Sequence, residues 1–456
     1  MRDLTQGSVL RHIVNMAAPI AFGMIFQTAY YLVDLYFVGH LGDVAIAGVS
    51  AAGNVMYILL GLTQVLGVGT VALISQAAGR KDQPEANLIF NQSLVLSALC
   101  GGITLLGGYL FSPIYMSWVA ADAATVAAGT SYLNWFLPGM ALQFALVSMG
   151  SALRGTGIVR PAMVVQIVTV ILNAALAPVL IAGWGTGVAL GVAGAGLAST
   201  LAIAAAVLLL GMYFVRMEKY VGFHADLWRP RLASWKRMLA IGLPSGGEFL
   251  LLFIYMGVIF WCIRDFGAVA QAGFGVGSRV MQAIVLPAMA VAFAVGPIIG
   301  QNFGARQPER VRETFNQAIL VNSGIMAAVS LLIHVRPEWL VSPFSDDAEV
   351  RAVAVGFLTI ISWNFVAQGI VFTCSNLFQG LGDTRPGLLS SAFRLVAFSL
   401  PALWLAARPQ FRIEHLWYLS VVVQLLQMGL SYWLVRIQFR RYFPEPAAGV
   451  SISFNT

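Results

Sequence analysis

Two carboxylic acids of this sequence lie within long apolar runs, where a charged group is expensive. The chain has 456 residues, and 19 of them are acidic. Only Asp34 and Glu248 fall inside such runs, whereas the other acids lie in loops, at helix ends or in the tails. An ionised side chain at the centre of a membrane helix costs about 2.5–3.5 kcal/mol. A carboxyl group kept there is therefore a candidate for binding a proton or a cation.

Asp34 shares a helical face with two other polar side chains. Gln27 and Tyr30 precede it by seven and four residues, which places all three on one side of a helix. That face would present a carboxylate, a phenol and an amide to a cavity. The carboxylate could exchange a proton or hold a cation, because hard cations prefer oxygen ligands. The alternative is an acid near enough to the membrane surface to stay hydrated.

Glu248 directly follows a stretch that weakens a helix. Residues 243–247 read LPSGG, and a proline with two glycines allows the backbone to bend and admit water. Glu248 lies about ten residues into its apolar segment, roughly 15 Å along a helix axis and near the midplane. It is predicted to be a protonatable or cation-attracting group. The alternative is a protonated acid that bonds a neighbouring helix.

Amide side chains form a second set of candidates. Asn173 lies in the middle of the fifth apolar segment, and Gln143 matches Gln368 at the repeat spacing described below. These residues would line a cavity or supply a neutral oxygen to a cation. The structural alternative is a hydrogen bond between helices, worth about 0.6 kcal/mol on average. Arg279 and Arg394 also lie within apolar segments and are expected to be paired or to extend toward the interface.

The elements that position these residues are predicted to be membrane helices. The chain is 59% hydrophobic and 10% charged, with a mean hydropathy of +0.81. A bilayer core needs about 20 apolar residues per helix, and strands of a membrane barrel would instead alternate over about 10 residues. Twelve segments meet the helix criterion: 13–38, 51–77, 93–115, 130–153, 161–185, 189–215, 238–262, 272–300, 314–335, 352–378, 386–407 and 415–435. We predict an all-α polytopic membrane protein.

The sequence repeats itself at one constant offset, the separation between Pro19 and Pro244. The other matching pairs are Gln76 and Gln301, Gly79 and Gly304, the Phe-Asn-Gln triplets at 90–92 and 315–317, and the Gly-x-Gly-x-x-Arg-Pro stretches at 155–161 and 380–386. A constant offset predicts two homologous six-helix lobes, as in transporters with a site between repeats. The predicted units are 1–215, an inter-lobe loop at 216–237, and 238–456. The acids are not duplicated, since Asp34 matches Ile259 and Glu248 matches Gly23.

Basic residues predict the orientation of the chain. The side that would hold both termini carries 19 Lys and Arg residues, and the opposite side carries five. This bias predicts that the N and C termini are both cytoplasmic. The net charge of +7 is then a topology signal and an attraction to anionic lipid, so the lipid bilayer rather than nucleic acid is the expected partner. No feature indicates an obligate oligomer, and a monomer is expected.

Several motifs of energy-coupled and catalytic proteins are absent from the sequence. There is no GxxxxGK[ST] phosphate loop, no HExxH, no GxSxG and no metal-like spacing among the three cysteines. We therefore expect neither direct use of ATP nor an enzyme, and no cofactor beyond a coupling ion, H+ or Na+.

The end of the first segment resembles that of a known transporter family. Residues 33–42 read VDLYFVGHLG, which is similar to the VDxxFVGxLG end of helix 1 in the multidrug and toxic compound extrusion (MATE) family. The Gln-x-x-Gly and Gly-x-Gly-x-x-Arg-Pro loop motifs are also similar, so the resemblance covers the whole chain. It implies a NorM- or DinF-like exporter of small organic cations, including drugs and dyes, in exchange for H+ or Na+. It also implies two lobes that rock around a central cavity, in a multi-pass protein of the bacterial cytoplasmic (inner) membrane.

The resemblance assigns roles to three residues. Asp34 corresponds to the coupling aspartate of helix 1, Asn173 to the asparagine of the helix 5 coupling site, and Glu248 to the helix 7 glutamate of the NorM-like branch. Gln27, Tyr30, Gln143 and Gln368 are the predicted cavity residues.

Two departures from the family pattern bear on the coupling ion. Many relatives have an aspartate where this chain has Ala177, and the NorM-like branch has an acid at the position of Gln368. Fewer carboxylates favour H+, although Na+ at Asp34 and Asn173 remains the alternative. The alternative function is that of a flippase for a lipid-linked precursor, from a related superfamily, which would need basic residues in its cavity.

Overall fold

The structure is a computed structural model that describes residues 1–120, 122–344 and 346–444, without the side chains of residues 30–35. Within these ranges it is helical and contains no strand. The helices are α1 (Val9–Gly39), α2 (Asp43–Gly79), α3 (Gln83–Val119), α4 (Ala123–Gly155), α5 (Arg160–Ala182), α6 (Val192–Arg216), α7 (Leu232–Ile263), α8 (Gly267–Gly304), α9 (Pro308–Val335), α10 (Glu338–Val341), α11 (Ala348–Ile361), α12 (Phe365–Leu381), α13 (Arg385–Ala406) and α14 (Ile413–Tyr442).

Eleven stretches of the described chain are long and apolar enough to cross a membrane. One of them, Leu232–Gly304, contains two helices, α7 and α8, joined by the short 3-10 helix Arg264–Phe266. Another, Ala348–Leu381, contains both α11 and α12. The helical fold class predicted from the twelve apolar segments is therefore confirmed.

The tenth apolar segment, 352–378, was predicted to form one continuous helix, and this prediction is wrong. It consists of α11 and α12 separated by the 3-10 helix Ser362–Asn364. The Ser330 hydroxyl of α9 donates to the backbone carbonyl of Ser362 at 3.0 Å. A neighbouring side chain that bonds a helix carbonyl is a known cause of a local break.

Helix α7 begins at Leu232, inside the predicted loop 216–237. Its first turns are anchored by Arg237, which lies 2.8 Å from Glu85 at the start of α3. Glu85 also contacts Arg80 at 2.5 Å. This cluster allows the helix to extend beyond the apolar segment into charged sequence.

The loop between α6 and α7 is bound to α3 through amide side chains. The Asn91 Oδ1 atom accepts from the backbone N–H of His224 at 3.0 Å and from Trp228 Nε1 at 2.9 Å. The Gln92 Oε1 atom accepts from the backbone N–H of Arg231 at 2.8 Å. The loop is therefore fixed to the first copy as far as the residue before α7.

The two copies of the repeat have the same backbone conformation at matching turns. Lys81 and Arg306, which are equivalent in the repeat, follow α2 and α8 with φ values of 59° and 57°. After each, a backbone N–H bonds five residues back, from Asp82 to Ala77 and from Gln307 to Asn302, both at 2.9 Å. This is the Schellman pattern, which satisfies the last carbonyls of a helix.

The two copies meet closely at the end of the bundle where the N-terminal segment lies, which we call the termini side. The Gln76 Nε2 atom donates to the Gly380 carbonyl at 3.0 Å. The Gln301 Nε2 atom donates to the Gly155 carbonyl at 3.0 Å, and its Oε1 atom accepts from the backbone N–H of Leu4 at 3.0 Å. The donors Gln76 and Gln301 are equivalent in the repeat, and so are the acceptors Gly380 and Gly155. The two hydrogen bonds between the copies are therefore equivalent.

Two glycines allow this close approach. A Cβ atom at Gly79 would overlap the main-chain oxygen of Gln301, and a Cβ atom at Gly304 would overlap that of Gln76. Only glycine therefore fits at either position without moving the helices apart.

Candidate transport site

A cavity of about 200 Å³ lies within the second copy, between α7, α8, α12, α13 and α14. Apolar and aromatic side chains make up about half of its lining residues. Its polar and charged lining residues are Ser245, Glu248, Tyr255, Gln368, Ser375, Asn376, Gln379, Ser391, Arg394 and Gln427. A wall that combines apolar and aromatic side chains with converging polar groups is typical of a small-molecule site.

Helix periodicity explains how α7 contributes to this cavity. Ser245, Glu248, Leu252 and Tyr255 all line it, at spacings of three and four residues. These spacings place the four side chains on one face of the helix, one above another. The glutamate is thus held toward the cavity by the packing of a whole helical face.

The Glu248 carboxylate has one neutral hydrogen-bond donor. The Ser375 hydroxyl of α12 donates to its Oε2 atom at 3.2 Å. Its Oε1 atom lies against the main chain of Gly387 on α13, where an added Cβ would overlap it. Within the described part of the chain, no basic side chain forms an ion pair with Glu248. The carboxylate is therefore available to a proton, a cation or a cationic substrate.

The guanidinium of Arg394 lines the same cavity. Its central carbon lies 4.3 Å from the centre of the Tyr255 ring, within cation–π range. The Tyr255 hydroxyl and the Ser420 hydroxyl are 2.9 Å apart, and the ring also packs on Phe398 at 4.7 Å. Tyr255 is thus a fixed platform that sets the position of the arginine.

Of two glutamines that line the cavity, only one was predicted from the sequence. Gln368, a predicted cavity residue, lies in the wall with Glu248. Gln427 of α14 was not predicted; it is 2% exposed, and its Oε1 atom has no hydrogen-bond partner among the described residues. A buried, unpaired carbonyl oxygen is costly and indicates a missing donor.

Asn173 lies apart from this cavity, in the first copy. It is fully buried on α5, and its Nδ2 atom donates to the Ser199 hydroxyl of α6 at 3.3 Å. Its Oδ1 atom has no partner in the described structure, and Ala177 one turn later is also fully buried. The amide and hydroxyl oxygens could therefore contribute two neutral ligands to a cation.

The remaining predicted residues lie in the first copy. The side chains of Asp34 and Tyr30 lie outside the described residues, so their roles stay predictions. Gln27 on α1 and Gln143 on α4 are half-buried, and neither lines the cavity of the second copy. Among the predicted residues, the cavity therefore brings together Glu248 and Gln368.

Sequence reasoning missed most of the polar wall. Arg394 was noted as an arginine inside an apolar segment, but its place in a cavity was not predicted. The last apolar segment does carry one sequence signal for a polar helix face, the two glutamines Gln424 and Gln427, three residues apart. Ser375 and Gly387 gave no signal, since serine and glycine are common in membrane helices.

Comparison with known proteins identifies the family. The family model for MatE matches residues 19–179 and 244–405, two ranges that begin at the equivalent prolines of the repeat. An FAD transporter of Shewanella oneidensis is 25% identical over 87% of this chain and 88% of its own length. The multidrug export protein MepA of Staphylococcus aureus is 26% identical over 87% of each chain. The probable multidrug resistance protein YpnP of Bacillus subtilis is 26% identical over 83% of this chain and 86% of its own.

Solved structures share the fold. A MATE protein crystallised in a bent conformation superposes with a TM-score of 0.90 at 24% identity, covering 96% of this chain and 97% of that one. An outward-facing MATE transporter superposes with a TM-score of 0.89 at 24% identity, covering 96% and 98%. With its membrane-spanning helices and these relatives, this chain belongs to the MATE family and is a multi-pass transporter of the bacterial inner membrane, not an enzyme.

Proposed function

We propose that this chain is a secondary antiporter that exports small organic cations in exchange for H+, by alternating access between its two lobes. One observation carries the proposal: Glu248 is held in a cavity within the membrane helices with one neutral hydrogen-bond donor and no ion-pair partner in the described structure. An isolated carboxylate in such a place is stabilised by a proton or by a cation. The name of the Staphylococcus aureus relative supports drug export as the direction of transport.

The mechanism follows from competition for the carboxylate. When the site faces outward, Glu248 takes up a proton and the cationic substrate leaves. When the site faces inward, the proton dissociates and the negative charge again attracts a cation. The ion drives the cycle only through its different affinity for the two states. By resemblance, Asp34 with Asn173 serves the first lobe in the same way.

The ligand sets support H+ over Na+. Na+ needs several oxygen ligands, whereas a proton needs one exchangeable acid. Glu248 is the only carboxylate that lines the described cavity, and Asn173 has an alanine one turn away where many relatives have an aspartate. Neither place supplies the multiple carboxylates of a strong Na+ site.

The closed end of the bundle supports alternating access. The paired bonds of Gln76 and Gln301 close the termini side. If the termini are cytoplasmic, as the basic residues predict, this arrangement is the outward-facing state. Opening the termini side would then require both bonds to break together.

A liposome assay tests the coupling ion. Purified chain is reconstituted with a fluorescent organic cation, and a pH gradient or a Na+ gradient is imposed separately. We expect exchange with the pH gradient alone. Exchange driven by Na+ at fixed pH, and not by a pH gradient, would contradict H+ coupling.

Amide variants test the two acids. Glu248→Gln and Asp34→Asn should each abolish gradient-driven transport while the protein stays folded, because an amide cannot release a proton. Glu338→Gln, at an exposed position on α10, is the matched control and should transport normally. Full transport by the double variant Asp34→Asn with Glu248→Gln would refute the mechanism.

The flippase alternative is less well supported. A lipid pyrophosphate needs several basic groups, whereas the lining of the described cavity contains one arginine and also one glutamate. Arg279, the other arginine of an apolar segment, is exposed and does not line the cavity. The export of organic cations therefore remains the better proposal.

A further inference from the structure

The outer surface of the first copy carries an open apolar groove. It has a volume of about 580 Å³, lies between α3, α4 and α6, and shares no residue with the cavity that contains Glu248. Arg216, the last residue of α6, is the polar residue of its described lining. The α6 side chains Leu208, Met212 and Val215 line the groove and are exposed, although α6 is long and apolar enough to span a membrane. An exposed apolar patch at such a place faces lipid.

The second copy has large side chains where the groove is open in the first. Val207 of α6 matches Tyr432 of α14, whose ring packs on Phe315 of α9 at 6.2 Å. Gly211 of α6 matches Arg436, whose guanidinium lies 5.4 Å from the centre of the Tyr432 ring. The groove therefore exists because the first copy has a small side chain, or none, at two positions that its repeat fills.

Arg216 differs from its equivalent in its charge partner. The equivalent residue, Arg441, lies 3.3 Å from the Asp383 carboxylate. The position of Asp383 is taken by Ile158 in the first copy. In the described part of the chain, the Arg216 guanidinium forms neither an ion pair nor a hydrogen bond. The charge at the end of the groove is thus available to an anion.

The length of the groove corresponds to one leaflet of a bilayer. Val207 and Arg216 are nine residues apart, or about 14 Å along a helix axis. Half of a hydrocarbon core of roughly 30 Å is about 15 Å. Arg216 lies at the termini side, because the Met1 amino group is 3.7 Å from Glu218, two residues farther along the chain. The basic residues predict that this side is cytoplasmic, where anionic lipids attract basic groups.

A second apolar groove lies on the other side of α6. It is formed with α5 and shares Leu208 and Met212 with the first groove. These two side chains therefore form a ridge between two apolar grooves. This shape fits the two acyl chains of one phospholipid.

We propose that the first copy binds an anionic phospholipid, with its acyl chains in the two grooves beside α6 and its phosphate on Arg216. The guanidinium donates paired N–H groups to phosphate oxygens. The lipid covers the exposed apolar side chains and neutralises a charge that the fold leaves unpaired. The site is separate from the cavity of the second copy, so it does not depend on the function proposed above.

Native mass spectrometry of the detergent-purified full-length chain tests this site. The chain is titrated with phosphatidylglycerol or with phosphatidylcholine of the same acyl chains, and the dissociation constant of the first bound lipid is measured. We expect phosphatidylglycerol to bind about fivefold more tightly, the effect of one arginine near an anionic surface. Arg216→Gln should reduce this preference to less than about twofold, because it removes that charge.

The repeat supplies the matched control and a variant that fills the groove. Arg441→Gln removes the equivalent arginine of the second copy and should leave the preference unchanged. Val207→Tyr introduces the residue of the second copy and should weaken binding of phosphatidylglycerol about tenfold, as expected when a few methylene groups of an acyl chain lose their contacts. If Val207→Tyr does not fold, Gly211→Leu decides in the same way, since a Cβ atom at Gly211 meets no atom within 4 Å.

A soluble headgroup distinguishes a lipid site from a site for free anions. Glycerol phosphate at the concentration that saturates with phosphatidylglycerol should not displace the lipid. The proposal is overturned if it does, if the two lipids bind the native chain equally well, or if Arg216→Gln keeps the preference. It is also overturned if Arg441→Gln loses the preference to the same extent, or if the variants that fill the groove bind phosphatidylglycerol as tightly as the native chain. A dimer that excludes the lipid would show that the groove is an interface between copies of the chain instead.

Discussion

The termini side and the cavity of the second copy differ in how far the repeat is preserved. At the termini side, Gln76 and Gln301 make the same bond to the opposite copy, each at 3.0 Å. The charged residues of the cavity have no counterpart, because Glu248 and Arg394 match Gly23 and Thr169 of the first copy. The contacts that close the molecule are duplicated, whereas the charges that could bind a substrate are not.

This difference separates two physical tasks. Two lobes that rock against each other need a closing surface that both share, and duplication supplies it with equivalent residues. A substrate needs one set of charges at one place, and a second set would bind a competing molecule or bury charge without a partner. Each of the following experiments changes one residue in one copy and its equivalent in the other.

The largest effect is expected at the paired glycines. Gly79→Ala and Gly304→Ala each place a Cβ atom on main-chain oxygen of the opposite copy, which cannot move aside as a side chain can. We expect each variant to destabilise the closed arrangement by about 3 kcal/mol, the upper end for overpacking. Hydrogen exchange of residues 72–82 and 297–307 in the reconstituted protein measures the opening.

Controls for the glycine experiment lie on the same helices. A Cβ atom at Gly53 on α2 or at Gly275 on α8 would meet no atom within 4 Å. Gly53→Ala and Gly275→Ala should therefore leave exchange unchanged. An effect of Gly79→Ala without an effect of Gly304→Ala would show that the two contacts are not equivalent.

The next effect concerns a triplet that is duplicated in sequence but not in contacts. Asn91 bonds the inter-lobe loop at His224 and Trp228, whereas Asn316, its equivalent in the second copy, is exposed. We expect Asn91→Ala to lower the free energy of unfolding by about 2 kcal/mol, because it leaves loop donors unpaired. Asn316→Ala should cost less than about 0.5 kcal/mol, as at ordinary surface sites.

Thermal unfolding of the detergent-purified chain measures this contrast. Equal shifts of the unfolding midpoint for Asn91→Ala and Asn316→Ala would mean that the loop contacts contribute no net stability. The loop would then not be a fixed part of the first copy.

Much of the architecture follows from the sequence because its causes are local. Apolar length gives the helices, and the constant offset of the repeat predicts matching turns such as those at Lys81 and Arg306. Glu248 and Gln368 were chosen as polar groups in apolar segments, and both line the cavity.

The rest depends on contacts between distant segments. Arg394 and Tyr255 are far apart in the chain, and no local pattern indicates that one lies over the other. The break between α11 and α12 likewise depends on Ser330 of another helix. The repeated Phe-Asn-Gln triplet marks Asn91 in the sequence, but only the structure shows that Asn91 binds the loop between α6 and α7.

A smaller effect is expected where one copy has glycine and the other alanine. Gly387 contacts the Glu248 carboxylate. In the first copy, Ala162 is equivalent to Gly387, and the residue equivalent to Glu248 is Gly23, which has no carboxylate. Gly387→Ala should displace the carboxylate and lower the rate of gradient-driven transport about tenfold, or roughly 1.4 kcal/mol. Ala162→Gly is the matched exchange in the first copy and should change the rate less than twofold. If both variants lost transport rate equally, the loss would be due to a change in helix flexibility in α5 and α13 and not to displacement of the Glu248 carboxylate.

The smallest effect lies within the duplicated closure itself. Gln301 makes one bond more than Gln76, since its Oε1 atom accepts from the Leu4 backbone while its Nε2 atom donates to Gly155. It is also fully buried, whereas Gln76 is half-buried. One net hydrogen bond contributes about 1 kcal/mol, so Gln301→Ala should lower the free energy of unfolding by about 1 kcal/mol more than Gln76→Ala. Thermal unfolding of both variants, with and without deletion of residues 1–5, isolates the Leu4 bond. If the difference persisted after the deletion, the asymmetry would belong to the helix packing around Gln301 and not to the N-terminal segment.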